Sequence, residues 1–182
     1  SGNRDMDRLT RVLHGDELKV AFAFLLTMPG APFIYYGDEI GLRYVENLVS
    51  VEGGYSRTGS RSPMQWNHGV NLGFSNASPE KLYIPTDDKP NSPTVEDQMK
   101  DPNSLYYEVK KLIALRREHS ALLSDGDIEF VSDGADGSPL AYIRSSADEK
   151  ILVVVNPADR EAVLNVPGDW KETLYEIGGA VV

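Results

Sequence analysis

The chain has 182 residues, 41% of them hydrophobic and 25% charged, a balance that lets one domain or two small ones bury a core. Its 18 Lys and Arg against 28 Asp and Glu leave a net charge of -10, which repels phosphate backbones and anionic lipid and argues against nucleic acid as a partner. The absence of Cys removes disulfides, thiolate catalysis and thiolate metal sites, and the three separated histidines, His14, His68 and His119, are too few for a His-rich metal centre.

Ser1-Gly2-Asn3-Arg4-Asp5 has no initiating Met, basic cluster or apolar run, so it reads as the middle of a longer protein and assigns no compartment. From Asp16 an acidic first turn and strong helix formers lead into apolar residues nearly all round, and the run stops at Pro29-Gly30. A buried helix is therefore predicted from Asp16 to Met28. Its longest nearly apolar stretch, Val20 to Met28, falls well short of the roughly 18 residues that span a bilayer, so no membrane partner is expected. Ala31 to Tyr36 is short, apolar and aromatic between Pro-Gly and Gly37-Asp38, which predicts a fully buried, parallel strand.

Residues 43 to 93 hold much of the Gly, Pro, Asn and Ser without a sustained period, and read as long loops of the kind that carry a site. Asp101-Pro102 offers a cap and a first-turn proline to an amphipathic helix whose Leu105, Val109, Leu112, Ile113 and Leu115 recur up to His119. After Leu123 the texture changes to five short β-rich runs: Ile128–Val131, Leu140–Arg144, Ile151–Val155, Ala162–Val166 and Thr173–Ile177. Turn clusters such as Pro157-Ala158-Asp159 and Pro167-Gly168-Asp169 separate them, which predicts an antiparallel β domain. The fold class is an α/β segment, residues 1–122, followed by an all-β antiparallel domain, residues 123–182, with the boundary between 120 and 127.

Three motifs carry more than composition does: Gly2-Asn3-Arg4-Asp5-Met6-Asp7-Arg8, Pro29-Gly30-Ala31-Pro32-Phe33-Ile34-Tyr35-Tyr36-Gly37-Asp38-Glu39-Ile40-Gly41, and Ser60-Arg61-Ser62-Pro63-Met64-Gln65-Trp66-Asn67. In this order and spacing they resemble the alpha-amylase family of retaining glycoside hydrolases, particularly its oligo-1,6-glucosidase, alpha-glucosidase and trehalose-synthase branches. Asp101 to Leu123 resembles that family's last barrel helix, so the likeness covers nearly the whole chain. The resemblance implies the last part of a TIM-type β/α barrel, from the end of the seventh strand, followed by a β-sandwich. The closing residues, Gly178 to Val182, are expected to end before that sandwich is complete.

Retaining glycosidases use two carboxyls about 5 to 5.5 Å apart as nucleophile and acid/base. In the family both come from earlier strands, and the resemblance assigns Asp5 to a third carboxylate that stabilises charge. It assigns sugar binding to Arg4, Arg8 and Arg61, the last because Arg-Ser-Pro-Met-Gln-Trp is similar to the Arg-Thr-Pro-Met-Gln-Trp of the glucosidase branch. A planar fork of donors suits vicinal hydroxyls. Arg4 stands where the family writes His, and unlike an imidazole it accepts no hydrogen bond and keeps its charge.

The implied function is that of the C-terminal portion of a hydrolase acting on α-glucosidic bonds, with an α-glucan or α-glucoside as its partner. This chain alone is expected to be inactive, and to dimerise through barrel-derived apolar surface. No cofactor is expected; structural calcium in the longer protein would need an oxygen cage that sequence does not reveal. The alternative is a noncatalytic carbohydrate-binding or structural module of the same fold. Taken alone, Asp5 and Arg8 read as a solvated charge pair, Asp38 and Glu39 as scaffold, and Trp66, Tyr35 and Tyr36 as core aromatics. His14 reads as surface or capping structure, and the acidic patches at Asp87-Asp88 and Asp133–Asp136 as turns.

Overall fold

The run from Asp16 folds into α1, Asp16–Thr27, in the computed structural model, which describes residues 1–179. Asp16 and Glu17 occupy the positive end of the helix dipole, and a Glu17 carboxylate oxygen accepts the His14 backbone N–H at 2.7 Å. The described residues divide into two compact units, Ser1–Leu18 with Phe33–Val109, and Lys19–Pro32 with Lys110 onward. No helix is long and apolar enough to cross a membrane among the described residues.

In the first unit, short 3-10 turns at Leu9–Arg11, Asp38–Ile40, Ser56–Ser60, Val70–Gly73 and Pro79–Lys81 replace long regular elements. Ile40, Leu42 and Val45 form part of its apolar core. Gly37 is required where the chain bends over that core: its φ is +82°, and a Cβ there would lie 2.7 Å from a Leu42 methyl. Gly59 is required by space, since a Cβ would sit 2.3 Å from the Val45 carbonyl oxygen. Helix α2, Val95–Lys100, starts where the Thr94 hydroxyl accepts the Asp97 N–H at 3.1 Å.

Helix α3, Leu105–Glu118, starts later than Asp101-Pro102 suggests. The Asp101 carboxylate instead accepts the Asn103 N–H at 2.9 Å, closing an Asx turn, and Ser104 provides the helix entry. Phe33–Tyr36 also departs from expectation. It has no ladder partner among the described residues, is not a strand, and leaves Phe33 76% exposed. A parallel strand exists only by pairing with neighbours, and β-propensity alone does not supply them.

The second unit carries a three-stranded antiparallel sheet in the order β1-β2-β3, formed by β1 Asp127–Asp133, β2 Leu140–Ser145 and β3 Lys150–Val155. Phe130 faces Tyr142 and Tyr142 faces Val153, with a bulge between Phe130 and Ser132. The central strand is the buried one, with Ala141, Tyr142 and Arg144 inaccessible. The two later β-rich runs, 162–166 and 173–177, form no strand, and Val163 is exposed. The expectation for Ala180 to Val182 lies outside the described residues.

Two arginines complete this unit without a carboxylate. Arg116 donates from Nη1 to the carbonyls of Leu26 (2.7 Å) and Met28 (2.8 Å) and from Nη2 to that of Gly30 (2.6 Å). Arg144 donates to the carbonyls of Thr27, Leu123, Gly126 and Asp127. Arg116, and Arg144 through Thr27, satisfy carbonyls left open where α1 ends, while Arg144 also gathers the turn at 123–127; their charge suits the negative end of the helix dipole.

Candidate active-site loop

Asn3 folds the first loop: its side chain accepts the Asp5 N–H at 2.8 Å and its carbonyl accepts the Met6 N–H at 3.2 Å. That turn lifts the Asp5 carboxylate into solvent, with its side chain 56% exposed. Arg61 reaches across from the Ser60–Asn67 motif, donating from Nη2 to Asp5 Oδ1 at 2.8 Å and from Nε to the Arg4 carbonyl at 2.8 Å. Arg4 Nε lies 3.5 Å from the other Asp5 oxygen. The Ser60 hydroxyl donates to the Met6 carbonyl at 2.6 Å and ties the two motifs together from below. Asp5 is thus an open carboxylate flanked by two guanidiniums, able to face a polar ligand or developing positive charge.

Arg8, expected among the sugar-binding residues, is placed differently. It is 1% exposed, donating from Nη1 to Asp38 Oδ1 at 2.9 Å and to the Tyr36 carbonyl at 2.7 Å. Its Nε and Nη2 meet no acceptor, but the guanidinium lies 4.8 Å from the Tyr35 ring centroid and 4.9 Å from that of Tyr36. Cation–π contact offsets part of that unmet donor capacity. Asp38 also accepts the Ser1 hydroxyl at 2.6 Å, and Tyr36 donates from its hydroxyl to the Ser62 carbonyl at 2.8 Å.

Burial pushes the Tyr36 phenol up to about 12, so it remains a donor at any physiological pH. Burial likewise raises the Glu39 carboxyl, one of whose oxygens has no partner. The solvated pairing of Asp5 with Arg8 is replaced by two separate pairs, Asp5 with Arg61 outside and Asp38 with Arg8 inside. The sequence signal for the inner pair was the motif Tyr35-Tyr36-Gly37-Asp38, read as scaffold.

His14 is exposed, and its backbone N–H rather than its imidazole meets Glu17. Asp87 is more than a turn residue: it is buried, and Arg43 Nε donates to it at 2.7 Å. Trp66 is not core, being 49% exposed. Among the described residues no group of three or more His, Asp or Glu could hold a metal ion.

Residues 1–126 match the alpha amylase catalytic-domain family, and residues 128–178 match the maltogenic amylase C-terminal domain. The chain is 33% identical to the glucan 1,6-alpha-glucosidase of Streptococcus pneumoniae, over 96% of the chain and 38% of that protein. It is 36% identical to the trehalose synthase of Pimelobacter sp., over 82% of the chain and 26% of that protein. The chain therefore spans well under half the length of the curated relatives it matches. Among solved structures, the trehalose-6-phosphate hydrolase of Bacillus licheniformis superposes with a TM-score of 0.70 at 28% identity, covering 86% of this chain and 33% of that one.

Proposed function

The chain belongs to the alpha-amylase family of glycoside hydrolases, and from that premise we propose that it contributes Asp5 to the cleavage or transfer of α-glucosidic bonds. The observation that carries this reading is the open Asp5 carboxylate held between Arg61 and Arg4. A carboxylate fixed by guanidiniums and exposed to ligand can stabilise the oxocarbenium-like charge of the transition state, while the guanidinium edges bind sugar hydroxyls. Arg8 acts beneath the loop, as a positioning residue paired with Asp38.

A retaining mechanism also needs a nucleophile and an acid/base, which this reading assigns to other strands of a longer barrel. The 182-residue chain by itself should then hydrolyse no maltose, isomaltose, sucrose or nitrophenyl α-glucoside. Exposed Phe33 is proposed to seat a second copy of the isolated chain, which sedimentation would detect as a dimer. In the barrel protein that carries this chain, Asp5→Asn should lower turnover by about 10² or more. Unchanged turnover would favour the noncatalytic carbohydrate-binding reading, for which Arg4 in place of an imidazole is the supporting observation.

A further inference from the structure

Trp66 lies in the same motif as Arg61 but serves no core. Its backbone is held from both sides: its N–H donates to the Leu72 carbonyl at 2.8 Å, and its own carbonyl accepts the Glu96 N–H at 3.0 Å. The indole is 49% exposed and, with Val95 and Met99, gives an apolar floor to an open cleft of about 530 Å³. A second cleft of about 460 Å³ shares His68 and Gly69 with the first, so the two adjoin at that dipeptide.

The rim is polar, and its charges are answered within the protein. Asp97 receives the Thr94 hydroxyl at 2.9 Å and pairs with His68 Nε2 at 2.7 Å, while Glu96 Oε1 accepts from Lys100 Nζ at 2.8 Å. Hydrogen bonds from the Thr94 hydroxyl first, and then from His68, lower the Asp97 carboxyl, which faces Nε2 as an acceptor. His68 Nδ1 has no hydrogen-bond partner among the described residues, which leaves it for a ligand. The Asn67 carbonyl oxygen takes the Gly69 N–H at 2.8 Å, leaving its amide nitrogen to donate.

An exposed indole beside an amide donor and an imidazole nitrogen suits a pyranose ring, which offers an apolar face and a girdle of hydroxyls. It does not suit an anion, because the first cleft is lined by no Lys or Arg and its Glu96 repels negative charge. We propose that Trp66, Asn67 and His68 form a second saccharide site, separate from Asp5 and Arg61, that takes an α-linked glucose oligomer. The paired clefts fit an oligomer of more than one ring. The choice of α-linked glucose rests on the reading under Proposed function; the stacking platform does not.

The chain's two tryptophans make the test direct. In a Trp170→Phe background only Trp66 fluoresces, and maltotetraose, isomaltotetraose and cellotetraose are titrated separately. The proposal expects a saturable change with an α-linked tetraose, half-complete near about 1 mM. His68→Ala should weaken it by about fivefold, the worth of one hydrogen bond, and Arg61→Ala should leave it unchanged. Circular dichroism checks that each variant is folded, and Asn67→Ala replaces His68→Ala if the latter is not. No saturable change up to about 10 mM overturns the site. Loss with Arg61→Ala but not His68→Ala also overturns it, moving the sugar to Asp5 and leaving the proposed function standing. Equal response to cellotetraose overturns the assignment to α-linked glucose.

Discussion

In the loop-built first unit Arg8 is buried against a carboxylate, whereas Arg116 and Arg144 in the sheet-bearing second unit are buried against carbonyl oxygens alone. The first unit has little ladder or helix to occupy its polar groups, so side chains satisfy one another, and a charge pair fixes where the loop crosses the chain. The second unit has a helix end whose open carbonyls need donors, and a guanidinium carries five. The same residue type is thus a partner in one region and a cap in the other. Within the first unit, Arg61 at 29% side-chain exposure meets the open Asp5 carboxylate instead of a buried one.

The comparison breaks most readily at Asp38. Asp38→Asn keeps the shape but leaves the Arg8 charge unanswered, and should destabilise the chain by about 3 to 5 kcal/mol in urea unfolding. A loss under about 1 kcal/mol would mean that the tyrosine faces, not the ion pair, hold Arg8. In the second unit the charge matters less than the fork. Arg144→Leu abandons four carbonyls and should cost about 2 to 3 kcal/mol by the same measurement, and Arg144→Lys should restore only part because one ammonium cannot span them.

A neutral contact within the loop unit gives the smaller scale. Thr94→Ala removes the α2 cap and should cost about 1 kcal/mol. The smallest effect is a slope with pH in the second unit. Burial raises the Glu149 carboxyl, but hydrogen bonds from His119, the Ala121 N–H and Ser120 outweigh it, so the net shift is downward. A depressed folded value gives stability that is present above the ordinary 4.5 and is lost as pH falls through the lower, folded value. Unfolding followed across that window should show the loss in the unaltered chain and a flatter profile in Glu149→Gln.

These contrasts also explain what could be read from sequence. Helix α1 was legible from its acidic first turn and helix formers and α3, though not its start, from its apolar spacing, because these are local properties, as were the three β-rich runs that found partners. Phe33–Tyr36 has strand composition, yet pairing depends on residues elsewhere, and the chain left it unpaired. The Asp5–Arg61 contact came from two motifs 56 positions apart, each visible by resemblance. Arg8 was seen but misplaced, because its motif does not say which of two nearby carboxylates it will meet. Arg116 and Arg144 gave no signal at all. Their acceptors are backbone carbonyls, which every residue possesses, so no side-chain pattern marks them.

Of the two carboxylates near this loop, Asp38 is proposed to hold structure and Asp5 to do chemistry. Asp5→Asn and Asp38→Asn, made side by side in the barrel protein that carries this chain, test it through unfolding free energy and kcat on one α-glucoside. The account predicts that Asp5→Asn stays within about 0.5 kcal/mol of the parent in stability while kcat falls by about 10² or more, and that Asp38→Asn shows the large stability loss. An Asp5→Asn protein that unfolds early with undiminished kcat per folded molecule would contradict it.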